Sequence, residues 1–186
     1  MKISKDRILT THVGSLPRSE EVFKLVFARE KGKELDNNDY DKVISDAVET
    51  VVIKQKEAGI DIVSDGEQSK ISYATYIKYR LNGFEGDSPR RTPRDLEEFP
   101  DFSARASKSG GVPTFSRPRC TGEVSVKDTR PMEIDLENFQ NALHEWDVTD
   151  AFMNAASPGV IALFQPNDYY SDHRSYLYAL ADAMKE

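Results

Sequence analysis

Apolar positions in this chain fall into short runs that alternate with stretches at three-and-four spacing, the signature of strands alternating with amphipathic helices. Residues 7–11 are a short strand candidate. Ser19 then caps a helix whose Val22, Phe23, Leu25, Val26 and Phe27 make a broad apolar face ending near Gly32. A longer helix over residues 39–58 carries Val43, Ile44, Ala47, Val48, Val51 and Val52, with Gly59 as its stop. The strand 60–64 follows directly, and Tyr73, Ile77 and Leu81 suggest another helix. Residues 83–118, rich in Pro, Gly, Ser and charge, read as a long polar loop. A third strand is predicted at 119–126. Asp135 is the expected cap of a helix bearing Leu136, Phe139, Ala142 and Leu143. A fourth strand over 148–156 leads into a turn at Ser157-Pro158-Gly159. Ser171 or Asp172 opens a last helix with Tyr176, Leu177, Leu180, Ala181 and Met184 on one face.

Alternation of this kind implies parallel pairing by right-handed crossovers, hence either a doubly wound sheet or a closed (β/α)8 barrel. A full barrel takes about 250 residues, so 186 residues with four predicted strands amount to roughly the first four strand–helix units, a half-barrel occupying residues 1–186 as one domain. No internal repeat is evident. A four-stranded parallel half-barrel has two open edges, so the expectation is pairing with another copy, a complementing second half, or a chain that is part of something longer.

Charge and cysteine content narrow the function classes. A net charge of −7 and a pI near 5.1 argue against a nucleic-acid footprint. The one basic run, residues 90–94, holds Pro93 and adjoins an acidic stretch, so it reads as a solvated loop, with an anion contact as the alternative. The single Cys120 excludes an internal disulfide and fits a reducing cytoplasm. No run approaches the ~20 apolar residues of a membrane span.

Candidate chemistry sits at strand ends. Thr11-His12-Val13-Gly14-Ser15 and Ser64-Asp65-Gly66-Glu67 each follow a strand and contain a glycine turn, the placement that presents side chains at the active end of a barrel. His12 is a site candidate, with a histidine bonded to a neighbouring carbonyl as the competing reading. Ser15 serves either a ligand or a turn. Asp65 and Glu67 are suited to an ammonium group, or alternatively to favouring a helix start. Cys120 reads as a small packed apolar residue. His144 and His173 read as structural, and Tyr73, Tyr76, Tyr79, Tyr169 and Tyr170 as packing rather than stacking on a ring. Cys120 and the three histidines lack metal-ligand spacing, so a complete zinc site within this chain is not expected.

Taken together and in order, THVGSLPR, VSDGEQS, RPRCTGEVS and AASPGVI resemble the N-terminal half of the cobalamin-independent methionine synthase family, in particular its shorter single-barrel relatives, over residues 8–186. The resemblance implies a (β/α)8 barrel, methyl transfer from a methylfolate to the sulfur of homocysteine or another thiol, and a zinc cofactor holding the thiolate. By the same resemblance Gly14 and Ser15 contact the amino-acid substrate, Glu67 binds its amino group, and Arg117 and Arg119 help to bind the folate. His12 and Asp65 replace different residues of the longer family members. The family's zinc ligands lie after a fifth strand, beyond Glu186, so no metal ligand and no catalytic residue is assigned in this chain. The alternatives are a non-catalytic half-barrel that binds a small amino acid or self-associates, and a related barrel of the uroporphyrinogen decarboxylase type.

Overall fold

The computed structural model describes residues 2–72, 74–88, 94–109, 117–144 and 146–186. Helix α1 (Glu20–Glu30) begins where the Ser19 hydroxyl accepts the Val22 N–H, as its sequence predicts. Helix α2 (Asn37–Glu57) starts two residues before its predicted position because the Asp36 carboxylate caps the Asn38 and Asp39 N–H groups. Strand β1 (Ile62–Ser64) follows and pairs in parallel with β4 (Asp150–Phe152), Ile62 opposite Asp150 and Ser64 opposite Phe152. On the other side of β1, Thr11 makes one parallel bridge to Ile62. The predicted strand at 7–11 is thus reduced to a single bridge. The Thr10 carbonyl accepts the Asp61 and Ile62 N–H groups at 3.2 and 3.1 Å, while the Asp61 carboxylate takes the Thr10 N–H at 2.8 Å, the Thr10 hydroxyl at 3.1 Å and the Arg7 guanidinium.

The predicted third strand forms as β3 (Arg119–Val126), but it lies outside the parallel sheet. It pairs antiparallel with β2 (Leu81–Glu85), a strand inside the expected helix-then-loop region, with a register shift between Asn82 and Phe84. Among the described residues the parallel arrangement therefore holds three segments, 11, β1 and β4, rather than four. The helix expected around Tyr73, Ile77 and Leu81 shrinks to a 3-10 helix, Thr75–Tyr79, with Leu81 already in β2; Tyr73 lies outside the described residues.

Two further helices correct the long-loop reading of 83–118, α3 (Arg94–Glu97) and α4 (Pro100–Ser109). Residues 90–93 of the basic run fall outside the described residues, and Arg94 opens α3. Helix α5 (Arg130–His144) starts five residues before the expected cap, with the Asp128 carboxylate accepting the Arg130 N–H and Pro131 in the first turn. Asp135 is instead buried and paired with Arg80. Ser157-Pro158-Gly159, expected as a plain turn, opens helix α6 (Pro158–Phe164), whose Val160 N–H is capped by Ser157. Helix α7 (His173–Ala183) begins at Asp172 as predicted.

Two apolar clusters hold these elements. In one, Val22 and Val26 of α1 meet Ile44, Val48 and Val52 of α2, Val63 of β1 and Phe139 of α5. In the other, Tyr76, Ile77 and Leu81 pack with Cys120 and Val124 of β3, Ile161 of α6 and Tyr176 and Leu180 of α7.

Candidate functional site at the ends of β1 and β4

Gln55, on the buried face of α2, anchors the end of β1. Its side-chain Oε1 accepts the Ser64 N–H at 3.0 Å, and its Nε2 donates to the Ser64 carbonyl at 2.8 Å and the Val51 carbonyl at 3.0 Å. Beyond Ser64 the chain reverses through Gly66 at φ +60°, where a Cβ would stand 3.1 Å from Leu16 Cβ and 3.2 Å from Val51 Cγ2. Both the angle and the tight space favour glycine. Its carbonyl accepts the Leu16 N–H at 3.0 Å, which ties the first strand-end loop to the second.

Glu67 follows in a left-handed conformation, φ +54°, uncommon for a side-chain-bearing residue. The Asp65 carboxylate accepts its N–H at 3.1 Å, and Arg18 donates to its carbonyl at 2.6 Å, to that of Lys70 at 2.6 Å and to that of Gln68 at 3.1 Å. Burial pushes the Arg18 pKa down while the Glu67 charge opposes that shift.

So held, the Glu67 side chain is 3% exposed and its two oxygens have different donors. The Ser15 hydroxyl donates to Oε2 at 2.6 Å and the Asn154 amide to Oε1 at 3.1 Å. Val13, Gly14, Ser15, Glu67, Lys70, Tyr76 and residues 154–156 line a cavity of about 420 Å³ there. Gly14 turns the chain at φ +98° so that Ser15 faces Glu67. The cation lining the cavity, Lys70, is committed to Asp65 at 2.8 Å, with both side chains almost fully buried. The pair is neutral overall, so Glu67 is the charge of the wall whose carboxylate is held by neutral donors alone, with the Arg18 guanidinium acting on it electrostatically from the backbone side.

Of the sequence-predicted residues, the structure gathers Gly14, Ser15, Asp65 and Glu67. His12 is not among them: it lines a different cavity of about 670 Å³ with Leu16, Pro17, Val22 and residues of α2 such as Ala47 and Val51. Gly14 reverses the chain between His12 and Ser15, so the two residues serve different faces. Neither Arg117 nor Arg119 lines the Glu67 cavity. Arg119 forks onto Asp168, and the Arg117 guanidinium lies 5.0 Å from the Phe164 ring centroid. Asn154, Lys70 and Gln55 were not picked out from the sequence. For Asn154 a signal existed, since it stands two residues past β4, much as Glu67 stands three past β1.

Metal chemistry finds no cradle in these residues. Among the described residues no group of three or more His, Cys, Asp or Glu side chains could hold a metal ion. Cys120 is buried in the second apolar cluster, and burial pushes its thiol pKa up. His144 and His173 are exposed on helices. Nor, among the described residues, is any helix long and apolar enough to cross a membrane.

Comparison with known proteins gives these strand ends a context. Residues 8–89 match the family described as cobalamin-independent synthase, catalytic domain. The chain is 26% identical over 177 residues to a methionine synthase of Sulfolobus acidocaldarius, covering 95% of this chain and 46% of that protein. Over 75 residues it is 32% identical to a 5-methyltetrahydropteroyltriglutamate–homocysteine methyltransferase of Buchnera aphidicola, covering 40% of this chain and 10% of that protein. A B12-independent methionine synthase from a Shewanella species, solved with selenomethionine, shares the fold at TM-score 0.60 and 20% identity over 94% of this chain and 45% of its own. A putative vitamin-B12-independent methionine synthase from Listeria monocytogenes does so at TM-score 0.61, over 95% of this chain and 47% of its own. The chain spans about half the length of the curated relatives that it matches along most of its sequence.

Proposed function

We propose, for a chain that belongs to the cobalamin-independent methionine synthase family, that the Glu67 cavity binds the α-ammonium group of a thiol or thioether amino acid, homocysteine first among them. The observation that carries this is the state of Glu67: a buried carboxylate whose hydrogen-bond partners, Ser15 and Asn154, are neutral, beside a lysine already committed to Asp65. A buried anion with neutral donors gains most from a cationic ligand. The apolar part of the wall, Val13, Tyr76, Ala155 and Ala156, suits a short thioether chain. A neighbour of the same fold was solved with an amino acid of this type, selenomethionine.

In this reading the chain supplies the amino-acid-binding strand ends of a (β/α)8 methyltransferase barrel that works in the cytoplasm. Segment 11, β1 and β4, in that order and parallel, with helices between them, support a partial barrel. The rest of the barrel, and with it the zinc ligands and the remainder of the methylfolate site, belongs to another part of a longer chain or to a complementing chain. No methyl-transfer step is assigned to the described residues, because they do not fit a metal. Pairing of copies is favoured by the exposed apolar side chains in and beside segment 7–11, Ile8 at 83% and Val13 at 67%.

Calorimetric titration tests the amino-group reading. L-Methionine or L-homocysteine should bind, the deaminated analogue 4-(methylthio)butanoate should bind much more weakly, and Glu67→Gln should erase that preference, by about tenfold or more for a charged hydrogen-bonded pair. Equal affinity of the wild-type chain for the amino and deaminated compounds would refute it.

A further inference from the structure

We propose that the buried Asp65–Lys70 ion pair is the positioning device of this site, holding Glu67 in the backbone conformation from which its carboxylate reaches Ser15 and Asn154. The inference rests on Glu67 as the amino-group acceptor and adds the residues that set its geometry.

A glutamate at φ +54° is strained and persists only where its surroundings over-determine it. Lys70 closes that surround on two levels. Its N–H donates to the Glu67 carbonyl at 3.1 Å, and its ammonium donates to Asp65 Oδ2 at 2.8 Å. The other oxygen of Asp65 accepts the Glu67 N–H. Glu67 is therefore gripped at its amide by Asp65 and at its carbonyl by Arg18, and the orientation of Asp65 is set by Lys70. An ion pair buried to 3–4% exposure adds little stability over apolar residues of similar volume. What it supplies here is direction, since the short arm of Asp65 cannot turn away from the Glu67 amide without leaving an ammonium unpaired in the interior.

The ammonium of Lys70 also lies 5.9 Å from the Tyr76 ring centroid and lines the cavity, so direct contact with a ligand carboxylate is the rival role. The two roles separate by ligand. A positioning residue acts through Glu67 and changes only the amino-group preference. A carboxylate contact would weaken the amino and deaminated ligands alike.

The test compares wild type, Lys70→Met and Lys70→Arg by hydrogen exchange at the Glu67 amide and by affinity for L-methionine and 4-(methylthio)butanoate. In Lys70→Met we expect Glu67 exchange to speed up while α2 amides stay unchanged, and the preference for the amino compound to fall roughly tenfold. Lys70→Arg should restore both. The double variant Asp65→Leu/Lys70→Met, which leaves no buried charge unpaired, should show the same losses and serves if the single variant does not fold. Unchanged protection of the Glu67 amide, or equal weakening of both ligands, overturns the proposal. A wild-type chain that shows no amino preference overturns the reading of Glu67 instead, and the exchange result still decides whether Lys70 positions it.

Discussion

Replacing Gln55 by leucine separates the contribution of a buried amide from that of the helix it sits on. The side chain is 4% exposed, and leucine is close to it in volume, so little packing is lost. Three hydrogen bonds disappear, two of them to the backbone of Ser64, itself 1% exposed. At about 1 kcal/mol net for an ordinary bond, and about 1–3 kcal/mol where a buried partner is orphaned, the loss comes to roughly 3–5 kcal/mol. Burying an apolar side chain in place of an amide returns about 1 kcal/mol. The expected net destabilisation is about 2–4 kcal/mol, a melting point lower by roughly 5–12 °C in a chain of this size. Urea unfolding monitored at Trp146 and by far-ultraviolet circular dichroism reads it. Because Ser64 precedes the Asp65–Glu67 turn, the same variant should also weaken amino-acid binding at temperatures where it remains folded. A destabilisation below about 1 kcal/mol would mean that Ser64 finds other partners and that Gln55 is not the anchor.

Two further outcomes follow from the titrating groups. The Arg7 guanidinium and the Thr10 N–H hold the Asp61 carboxyl below its ordinary value of 3.8, so its contribution to stability is present above that value and lost as pH falls through the lower, folded-state value. Melting curves of wild type and Asp61→Asn should converge as pH drops below 4, and curves that stay parallel would show that the contact is silent. Burial pushes the Cys120 thiol up, so it should resist Ellman's reagent in the native chain and react at the rate of a free thiol only in denaturant. Rapid native labelling would show that β3 opens readily.

How much of the site was legible in sequence depends on how local its determinants are. Capping by Ser19 and Asp172 and the apolar face of α2 rest on residues within a few positions of one another, and they appear where expected. Gly14-Ser15 and Asp65-Gly66-Glu67 stand out because a strand ending in a glycine turn is a local pattern as well. Partner choice is not local. Residues 119–126 alternate as a strand should, but whether β3 joins a parallel sheet or folds back on β2 is set by which edge is free 40 residues away. The period of a strand is the same in both cases. His12 shows the same limit at a single position, since one glycine turn after it sends Ser15 to the Glu67 cavity and leaves His12 on the α2 side.

From sequence alone come the α/β class, the strand-end glycine turns, the acidic, single-cysteine character and the family resemblance, all of which depend on residue type and short-range order. The tertiary structure decides that Asn154 meets Glu67 across 87 positions, that Lys70 is spent on Asp65, and that Gln55 serves the end of β1. Each of these is a buried polar contact whose existence depends on two segments arriving within about 3 Å of each other, a condition set by the packing of helices on strands rather than by any spacing along the chain.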